Sequence, residues 1–230
     1  MRTVLAAILL CILTTPGVTG SPDKPVVCLD PGHPSEINDG MQKQHGTTET
    51  HINWVVAQRV RNLLVKDGYK VVMTKQRENQ LVRNVRRADI ANHAHAAIML
   101  RLHCDTGDGT GFRVFYPNQA ARDGKVTGPP ADVREGSQVA ADAIHAGIVS
   151  TIGDRLHDNG VTTDRSTAVG RKMGGALIGS IHSNVPVVLV EMVFLNNSKD
   201  AAFIKSEEGQ KLFAQALADG VHRYVPPTHP

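Results

Sequence analysis

Two hydrophobic periods take turns along the chain. Residues 25–30 (PVVCLD) form a short apolar run that stops at Pro31-Gly32, which reads as a buried strand closed by a turn. From Thr48 the spacing becomes helical: Ile52, Val55, Val56, Val60, Leu63 and Leu64 share a face up to Asp67-Gly68, where Gly68 is a natural C-cap. Residues 69–74 read as a second strand. Over residues 80–96, Leu81, Val85, Ala88, Ile90 and Ala91 interleave with Arg83, Arg86 and Arg87, which predicts an amphipathic helix. Residues 97–103 and 112–116 read as the third and fourth strands. Residues 117–136, rich in Gly, Pro and charge, read as a loop, residues 137–151 as a helix, and residues 153–175 as an irregular polar stretch. Residues 185–192 (VPVVLVEM) are apolar and β-branched, as in a central strand. Short helices near residues 200–205 and 208–224 follow, and Pro226-Pro227 marks a frayed tail.

Strands that alternate with helices imply an α/β domain: a mostly parallel, twisted sheet covered by helices on both faces. Ligands of such sheets sit at the carboxyl ends of the strands. His33 directly follows the first strand, His103 ends the third, and Glu191 ends the run 187–191. If these strands are parallel neighbours, the three side chains meet at one sheet edge. Imidazoles and carboxylates gathered there suit zinc, which leaves one position for water in a catalytic site. His45, Glu49 and His51 are open as a third ligand. Glu49 also lies where a helix N-terminus favours a carboxylate for its own sake.

Ordinary roles compete for each of these residues. With eleven histidines in the chain, any single one is more often structural than a ligand. His93 and His95 fall late in a helix, where its dipole favours them, and His145, His157, His182, His222 and His229 have no supporting context. Glu191 is harder to dismiss, because a charge at the end of an apolar strand is costly without a partner. Asp30, before Pro-Gly, is either a turn residue or a carboxylate that orients a ligand histidine.

The first twenty residues have a different character. Arg2 precedes ten apolar residues at 4–13 (VLAAILLCIL), and Val18-Thr19-Gly20 ends the segment. This order matches an export signal over residues 1–20, cleaved near Gly20 and Ser21, and the run is too short to span a bilayer. The expected mature protein is one catalytic domain over residues 21–230, without a lasting membrane anchor or a separate wall-binding module, and monomeric. Export permits a disulfide between Cys28 and Cys104, although Cys28 in an apolar strand reads as a small buried hydrophobe. A net charge of +3 is too weak and dispersed for nucleic acid, and 4% aromatic residues supply no stacking platform. No phosphate-binding loop and no Gly-x-Ser-x-Gly elbow occurs.

Several spaced blocks resemble the zinc-dependent N-acetylmuramoyl-L-alanine amidases of the family often called amidase type 3. They are Leu29-Asp30-Pro31-Gly32-His33, Thr48-Glu49-Thr50-His51-Ile52-Asn53, Leu102-His103-Cys104-Asp105, and the stretch from Pro186 through Glu191 to Phe194 and Asn196. Met73-Thr74, Arg87-Ala88 and Ala91-Asn92 add to the likeness, which runs from Pro25 to Tyr224. The resemblance implies one zinc ion held by His33, Glu49 and His103, with Glu191 as the catalytic base. It selects Glu49 over His45 and His51, and it implies peptidoglycan or muropeptides as substrate in the periplasm, cell wall or medium. Three positions depart from the family pattern: Arg101 where the family has Ser, Val193 where it has Gly, and Lys75 where it has Arg. If the strand is regular, Arg101 faces the same side as His103 and touches substrate or a carboxylate. Asp30, Asn53 and Arg101 are therefore candidates around the metal. Two alternatives stand beside this reading: a wall-binding or regulatory protein that kept the fold without catalysis, and a zinc hydrolase of another amide.

Overall fold

The computed structural model describes residues 24–227; the expected export signal at residues 1–20 lies outside the described residues. The chain runs β1 (Val26–Pro31), α1 (Glu49–Lys66), β2 (Lys70–Met73), α2 (Asn84–His93), β3 (Ile98–Asp105) and β4 (Phe112–Tyr116). A small hairpin of β5 (Ala121–Asp123) and β6 (Val126–Gly128) precedes the long α3 (Ala131–Ile152). Then follow β7 (Asp158–Thr163), α4 (Ala168–Lys172), α5 (Ile178–Ile181), β8 (Val187–Phe194), α6 (Ser198–Lys205) and α7 (Glu207–Tyr224). Six strands make one sheet in the order β2-β1-β3-β8-β4-β7. The first four are mutually parallel, β4 pairs antiparallel with β8, and β7 lies parallel to β4. The sheet is thus mostly parallel, with helices on both faces, as the alternation predicts. Among the described residues no helix is long and apolar enough to cross a membrane.

Side-chain alternation sorts the strands into two faces. One face sends Val27 and Leu29, Ile98, Leu100 and Leu102, and Val188, Val190 and Met192 into the main core beneath α1, α3 and α7. The other face is built in three successive layers. In register across β1, β3 and β8, Cys28, Met99 and Val187 form an apolar layer against Ala91 of α2. Two residues on, Asp30, Arg101 and Leu189 stand side by side. Two further, His103 and Glu191 are paired opposite each other. Cys28 and Cys104 therefore belong to opposite faces, and both are free thiols.

The middle layer is held by charge. Asp30 is fully buried and accepts from Arg87 Nη1 at 2.5 Å, Thr74 Oγ1 at 2.6 Å and Arg101 Nε at 2.9 Å. Burial alone would raise its pKa, but the two guanidinium groups and Thr74 hold it well below the usual carboxylate range. Arg87 also donates to the carbonyls of Val82, Pro31 and Pro34, each at 2.9 Å, which clamps α2 to the turn after β1.

Three segments differ from the sequence expectation. Helix α2 begins at Asn84 rather than near residue 80, because Val82 N–H donates to Pro34 and the Glu36 carboxylate accepts from Asn84 N–H at 2.9 Å. Residues 117–136 hold the β5–β6 hairpin and the start of α3, and residues 153–175 hold β7 and α4. β7 (DNGVTT) is a sheet edge with polar, half-exposed residues, so it has no apolar run to betray it.

Asp30→Asn is expected to cost about 3–5 kcal/mol, the range for breaking a buried ion pair from one side. Urea denaturation at pH 7 measures it. Because the folded-state pKa is lowered, Asp30 stabilises the fold above its unfolded value of about 3.9, and that contribution is lost as pH falls. The gap between wild type and variant should therefore be full at pH 7 and narrow below about pH 4; a gap that widens in acid contradicts the assignment.

Candidate metal centre

Three elements deliver the cluster. His33 follows β1 in the left-handed region at φ 56°. Its Nδ1 meets the Asn38 carbonyl at 2.9 Å, and Lys75 Nζ donates to the carbonyl oxygens of His33 and Glu78. Glu49 is the first residue of α1, next to the cap Thr48, whose hydroxyl accepts from His51 N–H at 3.2 Å. One turn later Asn53 Nδ2 bridges Glu49 Oε1 and the Gly32 carbonyl, both at 3.4 Å. His103 comes from the end of β3, between the β1 turn and Glu191.

Glu49 sits between the two imidazoles. Its Oε2 lies 3.2 Å from His33 Nε2 and its Oε1 lies 2.9 Å from His103 Nδ1. The Cys104 N–H also donates to Oε1, at 3.2 Å. The imidazole rings meet edge to face with centroids 4.9 Å apart. One donor atom from each of His33, Glu49 and His103 falls within 4.8 Å of the other two. Among the described residues this is the one group of three or more His, Cys, Asp or Glu side chains so placed. Gly32 makes the approach possible, because a Cβ there would lie 2.4 Å from His103 Nε2 and Cε1.

Electrostatics support a metal fit. Burial would raise Glu49, but hydrogen bonds and charge from His103 and His33 pull it below its ordinary range, so it is an anion. Burial lowers His103 to about 4, which leaves the imidazole neutral, as a ligand must be. Burial also acts to lower His33, but the bond and charge of Glu49 outweigh it and raise that pKa. Burial, then the charges of Glu49 and Asp105, push Glu191 well above the carboxylate range. Glu191 Oε2 and His103 Nε2 are buried without a hydrogen-bond partner among the described residues. Two neutral or neutralisable imidazoles and one carboxylate are donor types that could hold a metal ion.

The centre opens into a cleft of ≈ 390 Å³ whose walls include Asn84, Arg101, Leu177, Ile178 and Leu189. Of the three open candidates only Glu49 reaches the centre; His45 Nε2 meets the Asn196 carbonyl and His51 pairs with Glu78 on the surface. Asp30 touches neither ligand histidine and serves Arg87 and Arg101 instead. Asn53 steadies Glu49, and Arg101 both pairs with Asp30 and lines the cleft. Sequence reasoning missed two supports, Lys75 at the His33 carbonyl and Arg87 beneath the β1 turn. Arg87 interleaves with apolar residues beside Arg83 and Arg86, so only the need of buried Asp30 for a cation points to it.

Comparison with known proteins agrees with this architecture. The sequence matches the family described as N-acetylmuramoyl-L-alanine amidase, Amidase_3, over residues 27–223. The N-acetylmuramoyl-L-alanine amidase AmiC of Neisseria meningitidis is 28% identical over 238 residues, which cover 91% of this chain and 55% of that protein. The chain therefore spans about half the length of that relative. An N-acetylmuramoyl-L-alanine amidase of Mycobacterium tuberculosis is 25% identical over 226 residues, covering 87% of this chain and 86% of that one. In fold, the apo N-acetylmuramyl-L-alanine amidase from Mycobacterium abscessus aligns with TM-score 0.72 at 23% identity, over 87% of this chain and 98% of the other. With 197 consecutive residues matched, from 27 to 223, and the same architecture around them, the chain belongs to the N-acetylmuramoyl-L-alanine amidase family.

Proposed function

We propose that this chain is an exported, zinc-dependent N-acetylmuramoyl-L-alanine amidase acting on peptidoglycan or its soluble muropeptide fragments. The observation that carries the reading is the convergence of His33, Glu49 and His103 beside Glu191, whose Oε2 is buried without a partner. His33, Glu49 and His103 would hold one zinc ion. When bound, the ion supplies Lewis acidity, polarising the amide carbonyl and lowering the pKa of a water towards about 7.

The chain's own groups handle the proton. Glu191 takes it from the attacking water at the carboxylate and returns it to the departing amide nitrogen. Its burial, which favours the protonated acid, suits a group that must hold a proton between the two events. The bond broken joins the lactyl carbonyl of N-acetylmuramic acid to the nitrogen of L-alanine, and the products are a carboxylate and a free amine. Asn53 and the Cys104 amide fix Glu49, and Lys75 fixes the backbone of His33. In this reading residues 1–20 would serve as the export signal and residues 21–230 as the catalytic domain.

Three measurements test this. Dialysed protein should take up one zinc per chain and release free peptide stems from a soluble muropeptide only when zinc is present. Zinc uptake without any release would favour the wall-binding alternative, and cleavage confined to other amides would favour the second. Glu191→Gln should keep its zinc and lose at least about 10²-fold in kcat, the scale of general acid–base catalysis; full activity would remove Glu191 from the mechanism. Gly32→Ala should weaken zinc affinity by about 10- to 100-fold, as when ligand orientation is disturbed, and a zinc titration that is unchanged counts against His103 as a ligand.

A further inference from the structure

Arg101 is a buried cation with an unfilled edge. Its side chain is 4% exposed, yet it lines the cleft beside Leu177, Ile178 and Leu189. Nε donates to Asp30 Oδ2 at 2.9 Å and Nη2 to Asn84 Oδ1 at 2.7 Å. The side-chain hydrogen bonds of Arg101 among the described residues are these two, which leaves Nη1 free on the cleft side. It lies over Gly179 of α5, where a Cβ would stand 2.9 Å from it. Gly179 has no positive φ to explain it, so its want of a side chain makes room for the guanidinium.

The charge count around Arg101 is uneven. Asp30 is one carboxylate serving two guanidinium groups. Arg87 spends its remaining donors on three backbone carbonyls, whereas Arg101 does not. Asp164 also feels the charge of Arg101, and its burial raises its pKa. Asp164 is engaged by the Leu177 N–H at 3.0 Å, and Glu36 is engaged by Asn84. A buried surplus of one positive charge is costly until an anion joins it, and guanidinium groups favour carboxylates above other anions of a peptide.

We propose that Arg101 is a specificity-determining residue that binds, through Nη1, a free carboxylate on the peptide side of the scissile amide, one residue beyond L-alanine. The inference rests on the amidase reading above. Arg101 and His103 stand two residues apart on β3 and line the same cleft.

The test uses zinc-loaded full-length protein and two substrates that differ by one charge: N-acetylmuramoyl-L-alanyl-D-glutamine, with a free α-carboxylate, and its C-terminal amide. Wild type should favour the carboxylate by about 10- to 100-fold in kcat/KM, the worth of a hydrogen bond to a charged group. Most of the difference should appear in KM. In Arg101→Met the preference should fall to near one. Gly179→Ala, which keeps the charge but displaces Nη1, should lose most of the preference even if Arg101→Met fails to fold. Equal rates on both substrates in wild type, or a preference that survives both substitutions, overturns the inference while leaving the amidase reading intact. Cleavage of neither compound by folded, zinc-loaded wild type overturns the amidase reading, and the inference with it.

Discussion

Asp30 is the pivot on which the catalytic end of the molecule turns. A carboxylate with no exposure must be paired, and the two cations that pair it come from different elements, Arg87 from α2 and Arg101 from β3. Satisfying one charge therefore joins β1, β3 and α2 in a single geometry. The carbonyls that Arg87 collects extend the clamp to the turn that presents His33. An apolar residue at position 30 would satisfy the core without specifying how these three elements meet. The cost of burying charge is offset here by a uniquely placed ligand turn.

The side chains of the candidate metal centre are held by modest local devices. A serviceable N-cap starts α1 so that Glu49 projects over the sheet edge, and Asn53 one turn later steadies it. Lys75 is buried, with its ammonium on backbone carbonyls and over the ring of Trp54 at 5.7 Å. Rigid strands and a helix terminus, rather than loops alone, carry the donor atoms. That is the arrangement expected of a site that must be preorganised before its ion arrives.

Much of this was legible in the sequence because the relevant signals are local. Helical spacing from Ile52 to Leu64 and the apolar runs at 25–30, 97–103 and 185–192 mark elements that face the core, and these are the elements that carry Glu49, His33, His103 and Glu191. What stayed hidden is polar and non-local. Arg87 sits among arginines in an amphipathic pattern but is buried, while Leu81 in the same pattern is 62% exposed. The reason lies in Asp30, 57 positions earlier, which no periodicity can connect to it. Strand β7 is invisible because an edge strand needs few apolar residues, and spacing alone leaves His45, Glu49 and His51 open, so that only the resemblance of the block at 48–53 picks out Glu49.

The three-layer face has a consequence for how this chain tolerates change. The same alternation that seats Val188 and Val190 in the main core turns Leu189 and Glu191 to the other side. Deleting one residue anywhere in 187–190 would exchange the two sets, driving a carboxylate into the core and lifting a valine into the cleft. The side chain beside the His33–Glu49–His103 cluster and the side chains of the core are thus written in one phase along β8. The strand therefore tolerates a change of side chain on either face more readily than a change in its length.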